Sequence, residues 1–240
     1  MKPFVAQLRA EVAMTMTRGE SLLLTVGIPL GLLVFFSLVD VLPTNTKDPV
    51  TFLAPGVLAM AVLSTAFTSL AIATGFERSY LVLKRLGTTP LGRPRLVAAK
   101  IGGVLVVIAI QMVVIVVAAL ALGWSPSGFS VGVALPAVVL ATTAFASLGL
   151  LMAGTLRAEI TLAVANAGFI LLMLVSGMVI PVSKLPDAMR SVVRLLPSEA
   201  LAHILHAAAT GAGTGSRPWV VLAVWAAGAT LLAMHFFRWE

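Results

Sequence analysis

Long apolar runs alternate with short polar connections along this chain. Six runs, at residues 22–42, 52–76, 96–122, 131–156, 160–180 and 219–237, each hold about twenty residues, enough to cross a bilayer core of roughly 30 Å as a helix. Charged side chains are nearly missing from them; Asp40 and Lys100 stand close to run ends. In hydrocarbon every backbone N–H and C=O must be satisfied within the protein, and a helix does so inside one segment. The pattern predicts an all-α membrane protein of six transmembrane helices, with residues 1–240 as one membrane domain.

The connections carry patterns of their own. In residues 2–20, Phe4, Val5, Leu8, Val12 and Met16 fall on one side of a helix and Gln7, Glu11 and Arg18 on the other. That predicts an amphipathic helix in the inner interface. Run one contains Gly27-Ile28-Pro29-Leu30-Gly31. Glycines four apart permit close helix approach, so Gly27 and Gly31 are candidates for a subunit interface, with packing inside the chain as the equal alternative. The outer loop 43–51 is short and polar.

Residues 77–95 form the most polar segment. A short cytoplasmic helix is predicted over 77–86, stopped by Gly87 and Pro90. Tyr80, Leu83 and Leu86 share one face; Arg78, Lys84 and Arg85 lie elsewhere. Such a helix suits docking on another protein, and its charges equally serve topology. Further on, Pro181, Pro186 and Pro197 interrupt an apolar stretch between runs five and six. Two short helices dipping into the outer leaflet, near 189–196 and 200–209, fit better than an open loop. They would gate the outer end of a path, with Arg190 and Arg194 held at the headgroups. Residues 211–215 read as a flexible hinge.

Composition narrows the class. With 60% hydrophobic and 10% charged residues, a soluble bundle is excluded, since soluble domains carry about a quarter charged residues. A net charge of +7 and a pI near 10.9 invite a nucleic-acid partner, but the basic residues follow membrane topology instead. With the N-terminus in the cytoplasm, 11 of the 16 Lys and Arg residues fall inside and Lys47, Lys184, Arg190, Arg194 and Arg217 fall outside. Six spans return the C-terminus to the cytoplasm. Trp124 and Trp219 mark the outer boundary, Tyr80 and Trp239 the inner one. The first run starts late and lacks a small-residue cleavage pattern, so it reads as a span and not a signal peptide. There is no cysteine, hence no disulfide or thiolate metal site.

Catalytic constellations are absent from the sequence. No phosphate-binding G-x-x-x-x-G-K-[ST], H-E-x-x-H or G-x-S-x-G occurs. His203 and His206 are three apart without a third ligand, which favours polar interface residues over a metal site. Deep in the runs only Gln111, Asn166 and scattered Ser and Thr are polar. An ion-driven carrier needs buried ionisable groups, so their scarcity argues against a stand-alone secondary transporter and something else must supply energy.

Glu77-Arg78, Leu83, Leu86, Thr88-Thr89-Pro90-Leu91 and Arg93 resemble the signature loop of the ABC type-2 permeases, the membrane subunits of drug, lipid and polysaccharide exporters, daunorubicin-resistance transporters among them. Ser176-Gly177, Pro181, Leu185-Pro186 and Pro197 resemble that family's span-five exit and outer re-entrant helices. Where the family usually carries acidic residues in the loop, this chain has Ser79 and Lys84. The resemblance implies a plasma-membrane half-transporter and no enzyme in this chain. A second permease subunit, identical or not, would pair with it through spans one and five. Two ABC ATPase subunits, which bind ATP and Mg, would couple through Glu77, Arg78, Leu83, Lys84, Arg85 and Leu86. The apolar spans and only 16 aromatic residues suit a hydrophobic drug or lipid better than a glycan. A non-transporting membrane assembly protein is the alternative from another class.

Overall fold

In the computed structural model, residues 2–17, 19–38, 49–87, 92–126, 128–179 and 181–237 are described. The expectations for Arg18, Asp40, Lys47, the 88–91 part of the loop motif, Arg238 and Trp239 lie outside them. The described chain is helical, and its elements follow the apolar runs. Five helical stretches are long and apolar enough to cross a membrane: 50–79, 93–121, 131–155, 158–175 and 217–236. Helix α2 (Gly19–Leu38) carries the first run, with a shorter apolar stretch over Thr25–Leu38.

The N-terminal helix α1 (Lys2–Thr17) packs on α6 (Arg93–Ala121). Its orientation corrects the sequence expectation. Gln7 and Glu11 face the protein and are buried, while Val5 and Met14 are exposed. The polar side turns inward because α6 offers it a charged partner, described below.

The second run forms one continuous helix from α3 (Pro49–Leu63) through a π-helical turn (Ser64–Ser69) to α4 (Leu70–Ser79). It therefore extends past residue 76 and takes in Glu77 and Arg78. A π-turn inserts a residue into the helical ladder and is found mostly at functional sites. Here it buries Thr65, Ala66, Phe67 and Thr68 against α7 (Val131–Thr155). Close approach is possible because Gly149 of α7 has no side chain where the Phe67 carbonyl sits 2.8 Å from a Cβ position.

The predicted helix over 77–86 is not one helix. The chain leaves α4 at Ser79, turns at Tyr80 and Leu81, and restarts as α5 (Val82–Gly87). Leu81 has φ 61, the one non-glycine residue with positive φ among the described residues. A branched side chain in that region is costly, so the break is imposed by the surroundings and not by sequence propensity.

Helix α7 is the hub. It packs against α4, α6, α11 (Arg217–Phe236) and α10 (Pro197–Thr210). The apolar runs at its centre are lined by Ala141, Ala144, Ala146 and Ala153, all fully buried. Helix α8 (Ala158–Val175) touches mainly α4 and stays exposed along Ile160, Leu162, Val164, Ile170, Leu171 and Leu174. It ends five residues before position 180, because Gly177 takes φ 81 and turns the chain.

The segment after α8 forms a 3-10 turn (Val182–Lys184), helix α9 (Asp187–Val193) and α10. Two short helices were expected, and two form, each starting earlier than expected. The prolines set the starts: Pro186 directly precedes α9, and Pro197 opens α10 at its first turn, where a missing N–H costs nothing. Gly211, with φ 70, closes α10.

Candidate functional site

Two polar regions stand out in this apolar molecule, one at each end of the bundle. The first gathers α1, α4 and α6. Lys100, on α6, is 1% exposed. Its Nζ lies 2.7 Å from Glu77 Oε2 and 3.0 Å from Glu11 Oε1. Gln7 Nε2 donates to Glu11 Oε1 at 2.7 Å. A buried ammonium is tolerable only when paired and hydrogen-bonded, and here two helices distant in sequence, α1 and α4, supply the partners. Gly103 lets α1 lie close: a Cβ there would stand 3.0 Å from Glu11 Cβ. The two carboxylates already hold a cation, Lys100, so the cluster is built for joining elements.

A cavity of about 80 Å³ lies beside this cluster and reaches Thr65 and Ser69 of the π-turn. Deeper in the bundle Thr65 Oγ1 donates to Gln111 Oε1 at 2.9 Å, and Gln111 Nε2 donates to the Thr25 carbonyl. Gln111 thus ties α2, the π-turn and α6 together, which accounts for a fully buried amide in the middle of a span. Asn166, the other deep polar residue, bonds back to the Leu162 carbonyl on the exposed side of α8.

The residues expected to couple to an ATPase separate into two groups. Glu77 belongs to the Lys100 cluster. Arg78 Nη1 donates to the carbonyls of Ala153 at 3.1 Å and Leu156 at 3.2 Å, closing the end of α7. Leu83 is fully buried and anchors α5; Leu86 is half-buried. Lys84 and Arg85 are exposed, and so are Tyr80, Leu81 and Val82 beside them. The outward face of this region is therefore α5 with the turn before it. Gly27 and Gly31 lie on an exposed side of α2, where an added Cβ would meet nothing within 4 Å.

At the opposite end a cavity of about 520 Å³ opens between the start of α3, the α8 exit, α9, α10 and the start of α11. Pro181 lines it; Pro186 and Pro197 start the two helices that frame it. Arg190, Arg194, Arg217, Glu199, His203 and His206 line it too. Arg190 Nη2 donates to the carbonyls of Ser183 and Leu185 at 3.0 Å each, pinning α9 to the 3-10 turn. Arg217 Nη2 lies 3.2 Å from Glu199 Oε1 and joins α11 to α10. Burial holds the Glu199 carboxyl above its usual range, and the Arg217 charge opposes that.

His206 links α10 to the second span. Its Nε2 lies 3.0 Å from the Phe52 carbonyl and its Nδ1 2.7 Å from the Ala202 carbonyl. The Phe52 ring stands against the imidazole at 4.8 Å. Burial pushes the His206 imidazole below its ordinary value, although both carbonyls favour the charged form. The sequence reading named neither Glu11 nor Lys100 as a site. The available signal was Lys100 itself, a lysine inside an apolar run, which in a membrane needs a named partner.

A comparison with curated proteins gives no match. The model of the ABC-2 type transporter family matches residues 4–208, from α1 to the last turn of α10. That stretch takes in both polar regions, except Arg217. By this match and by its apolar helices, the chain belongs to the ABC-2 type transporter family and is a multi-pass membrane permease domain of a kind that works with an ABC ATPase.

Proposed function

We propose that the chain is the membrane subunit of an ATP-driven exporter that moves a hydrophobic drug or a lipid outward. Two copies, or this chain and a related one, pair; two ATPase subunits dock beneath them and bind the ATP and Mg. The chain is one domain with six spans, α2 included, and both termini are cytoplasmic. The observation that carries this is the buried Lys100 bridge to Glu11 and Glu77, with Glu77 three residues before the exposed Tyr80, Leu81 and Val82 and with the exposed Lys84 and Arg85 just beyond. A push on α5 reaches Glu77 through the two-residue turn at Leu81, and from Glu77 reaches both α6 and α1. Energy transfer then rests on repacking of joined helices.

The docking surface of this proposal is α5 with Tyr80 and Leu81. Arg78 is excluded from it, because its guanidinium is occupied by the α7 carbonyls. Lys84→Glu with Arg85→Glu should abolish co-purification of the ATPase while leaving membrane insertion of the permease intact. Undiminished co-purification of the double variant would overturn the assignment.

Pairing through α2 and α8 is supported by their exposed apolar faces and by the empty space over Gly27 and Gly31. Since the sequence has no cysteine, single substitutions such as Ile28→Cys give a clean cross-linking background. A cross-linked pair is expected in the parent background and its loss in Gly27→Leu with Gly31→Leu. Helices α9 and α10 form the outer gate in this scheme. Met189→Cys and His203→Cys should both react with a membrane-impermeant thiol reagent added outside; reaction of His203→Cys from the cytoplasmic side alone would defeat the six-span topology.

A further inference from the structure

We infer that the cavity framed by α9, α10 and α11 is a binding site for the phosphate of an anionic amphiphile. Its lining carries three guanidinium groups, those of Arg190, Arg194 and Arg217, against one carboxylate, that of Glu199. The carboxylate is buried and already paired with Arg217. Asp187, which pairs with Arg190 at 3.0 Å, is almost fully exposed and lies outside the cavity. The lining therefore carries more guanidinium groups than carboxylates, with Arg190 paired outside it and Arg217 paired within it.

Arg194 has no side-chain hydrogen bond or ion pair among the described residues. It stands one turn beyond Arg190, so two guanidinium groups approach the same space from one side. Arginine forks match phosphate oxygens in a way that water or a sugar hydroxyl does not. An isolated phosphate would need nothing more. Here a second feature sits beside the cations: Met189 and Val192 on α9, and Leu195 just beyond its end, are exposed apolar side chains. A charged cavity beside an apolar strip fits a ligand with an anionic head and a hydrocarbon tail. At about 520 Å³ the cavity has room for a headgroup.

The segment is also tied down by a residue outside the cavity lining. Trp225 Nε1 donates to the Leu195 carbonyl at 2.8 Å, fixing the end of α9 to α11. Arg190 is placed by backbone carbonyls and Arg217 by Glu199, contacts that a ligand does not have to make. This inference deepens the export proposal and rests on it only for which leaflet supplies the ligand.

The test uses the full-length permease alone, purified in a neutral detergent, with bound lipid counted by native mass spectrometry. Phosphatidylglycerol is compared with phosphatidylcholine, with inorganic phosphate as competitor. The parent protein should hold phosphatidylglycerol in preference to phosphatidylcholine. Arg194→Gln should weaken phosphatidylglycerol binding about tenfold, the scale of one charge-assisted contact. Lys184→Gln removes the same charge from the same segment, away from the cavity lining, and should leave binding unchanged. His203→Gln, at an exposed position, supplies a second lining variant and should weaken binding less. Displacement by inorganic phosphate would show that the site takes free phosphate; failure of displacement with Arg194 dependence intact would assign the lipid headgroup. Equal binding of the two lipids, or equal loss in Lys184→Gln and Arg194→Gln, overturns the inference. Because no ATPase is present, this outcome is independent of whether the coupling assignment at α5 survives.

Discussion

The two polar ends of this bundle solve opposite problems. At the α1 end one ammonium is sealed among two carboxylates and an amide, and the charges are nearly used up by one another. At the α9–α10 end three guanidinium groups line open space: Arg217 is paired with Glu199, Arg190 with the exposed Asp187, and Arg194 has no ion pair among the described residues. The closed cluster fixes the relative position of helices that lie far apart in sequence. The open cavity fixes two of its cations and leaves Arg194 for something else. A joint and a receptor use the same residue types, and burial decides which one results.

The comparison is broken most directly at Lys100. Lys100→Met keeps the side chain's bulk and leaves Glu11 and Glu77 buried without a counter-charge, which costs about 3–5 kcal/mol when a buried pair loses one member. A large drop in thermal unfolding temperature in detergent is expected. Adding Glu11→Gln and Glu77→Gln to Lys100→Met should restore much of the loss, because the cost lies in unpaired charge and not in lost packing. If the single replacement unfolds no earlier than the parent, the cluster is not the joint described.

Next in size is a steric test at the other end. Gly56 in α3 sits so close to the Met178 carbonyl that a Cβ would overlap it. Gly56→Ala must push apart the second span and the α8 exit, and overpacking of this kind costs about 1–3 kcal/mol. Gly27→Ala, with open space around it, should leave the unfolding of the single chain unchanged. Equal effects of the two replacements would mean that the tight approach at Gly56 is not maintained.

The positions that sequence could not foresee share a cause. Apolar run length shows where helices lie, and all six predicted runs contain helix. Proline and glycine mark chain reversals, so Pro186, Pro197 and Gly211 were visible as punctuation. The orientation of α1 was not, because an amphipathic stripe was assumed to turn its polar side to water, and here the polar side meets Lys100. The break at Leu81 left no trace either. A leucine with positive φ carries none of the signals of a glycine, and the strain is held by the anchoring of Leu83 and the closing of α7 by Arg78. Glu77 and Arg78 were expected to face an ATPase and here face their own bundle, because charge density alone does not say which way a side chain turns.

A smaller effect is expected at Arg217. Its side chain is 41% exposed and its partner Glu199 is buried, so Arg217→Gln gives up an ion pair that water partly screens. A loss smaller than at Lys100 is expected, because one carboxylate and not two loses its cation and the Arg194 charge still acts on it. A loss as large as that of Lys100→Met would erase the distinction between an open and a closed end.

The finest test concerns pH, and it separates the ends because no histidine joins Gln7, Glu11, Lys100 and Glu77. His206 faces the Phe52 and Ala202 carbonyls, and around the same cavity stand His203, Glu199, Arg190, Arg194 and Arg217. Burial holds its imidazole below the ordinary 6.5. Between that lowered value and 6.5 the unfolded chain binds a proton that the folded chain does not. Stability contributed at this site is therefore present above pH 6.5 and falls as the pH drops through 6.5 towards the folded value, by at most about 1.4 kcal/mol per pH unit for one proton. In His206→Gln the amide still donates to the Phe52 carbonyl and no proton is taken up. Unfolding followed from pH 7.5 to 5.5 should be flatter in His206→Gln than in the parent. Parallel profiles would mean that the pH response, if any, comes from another group, and that the α10 contact with the second span does not depend on a neutral imidazole.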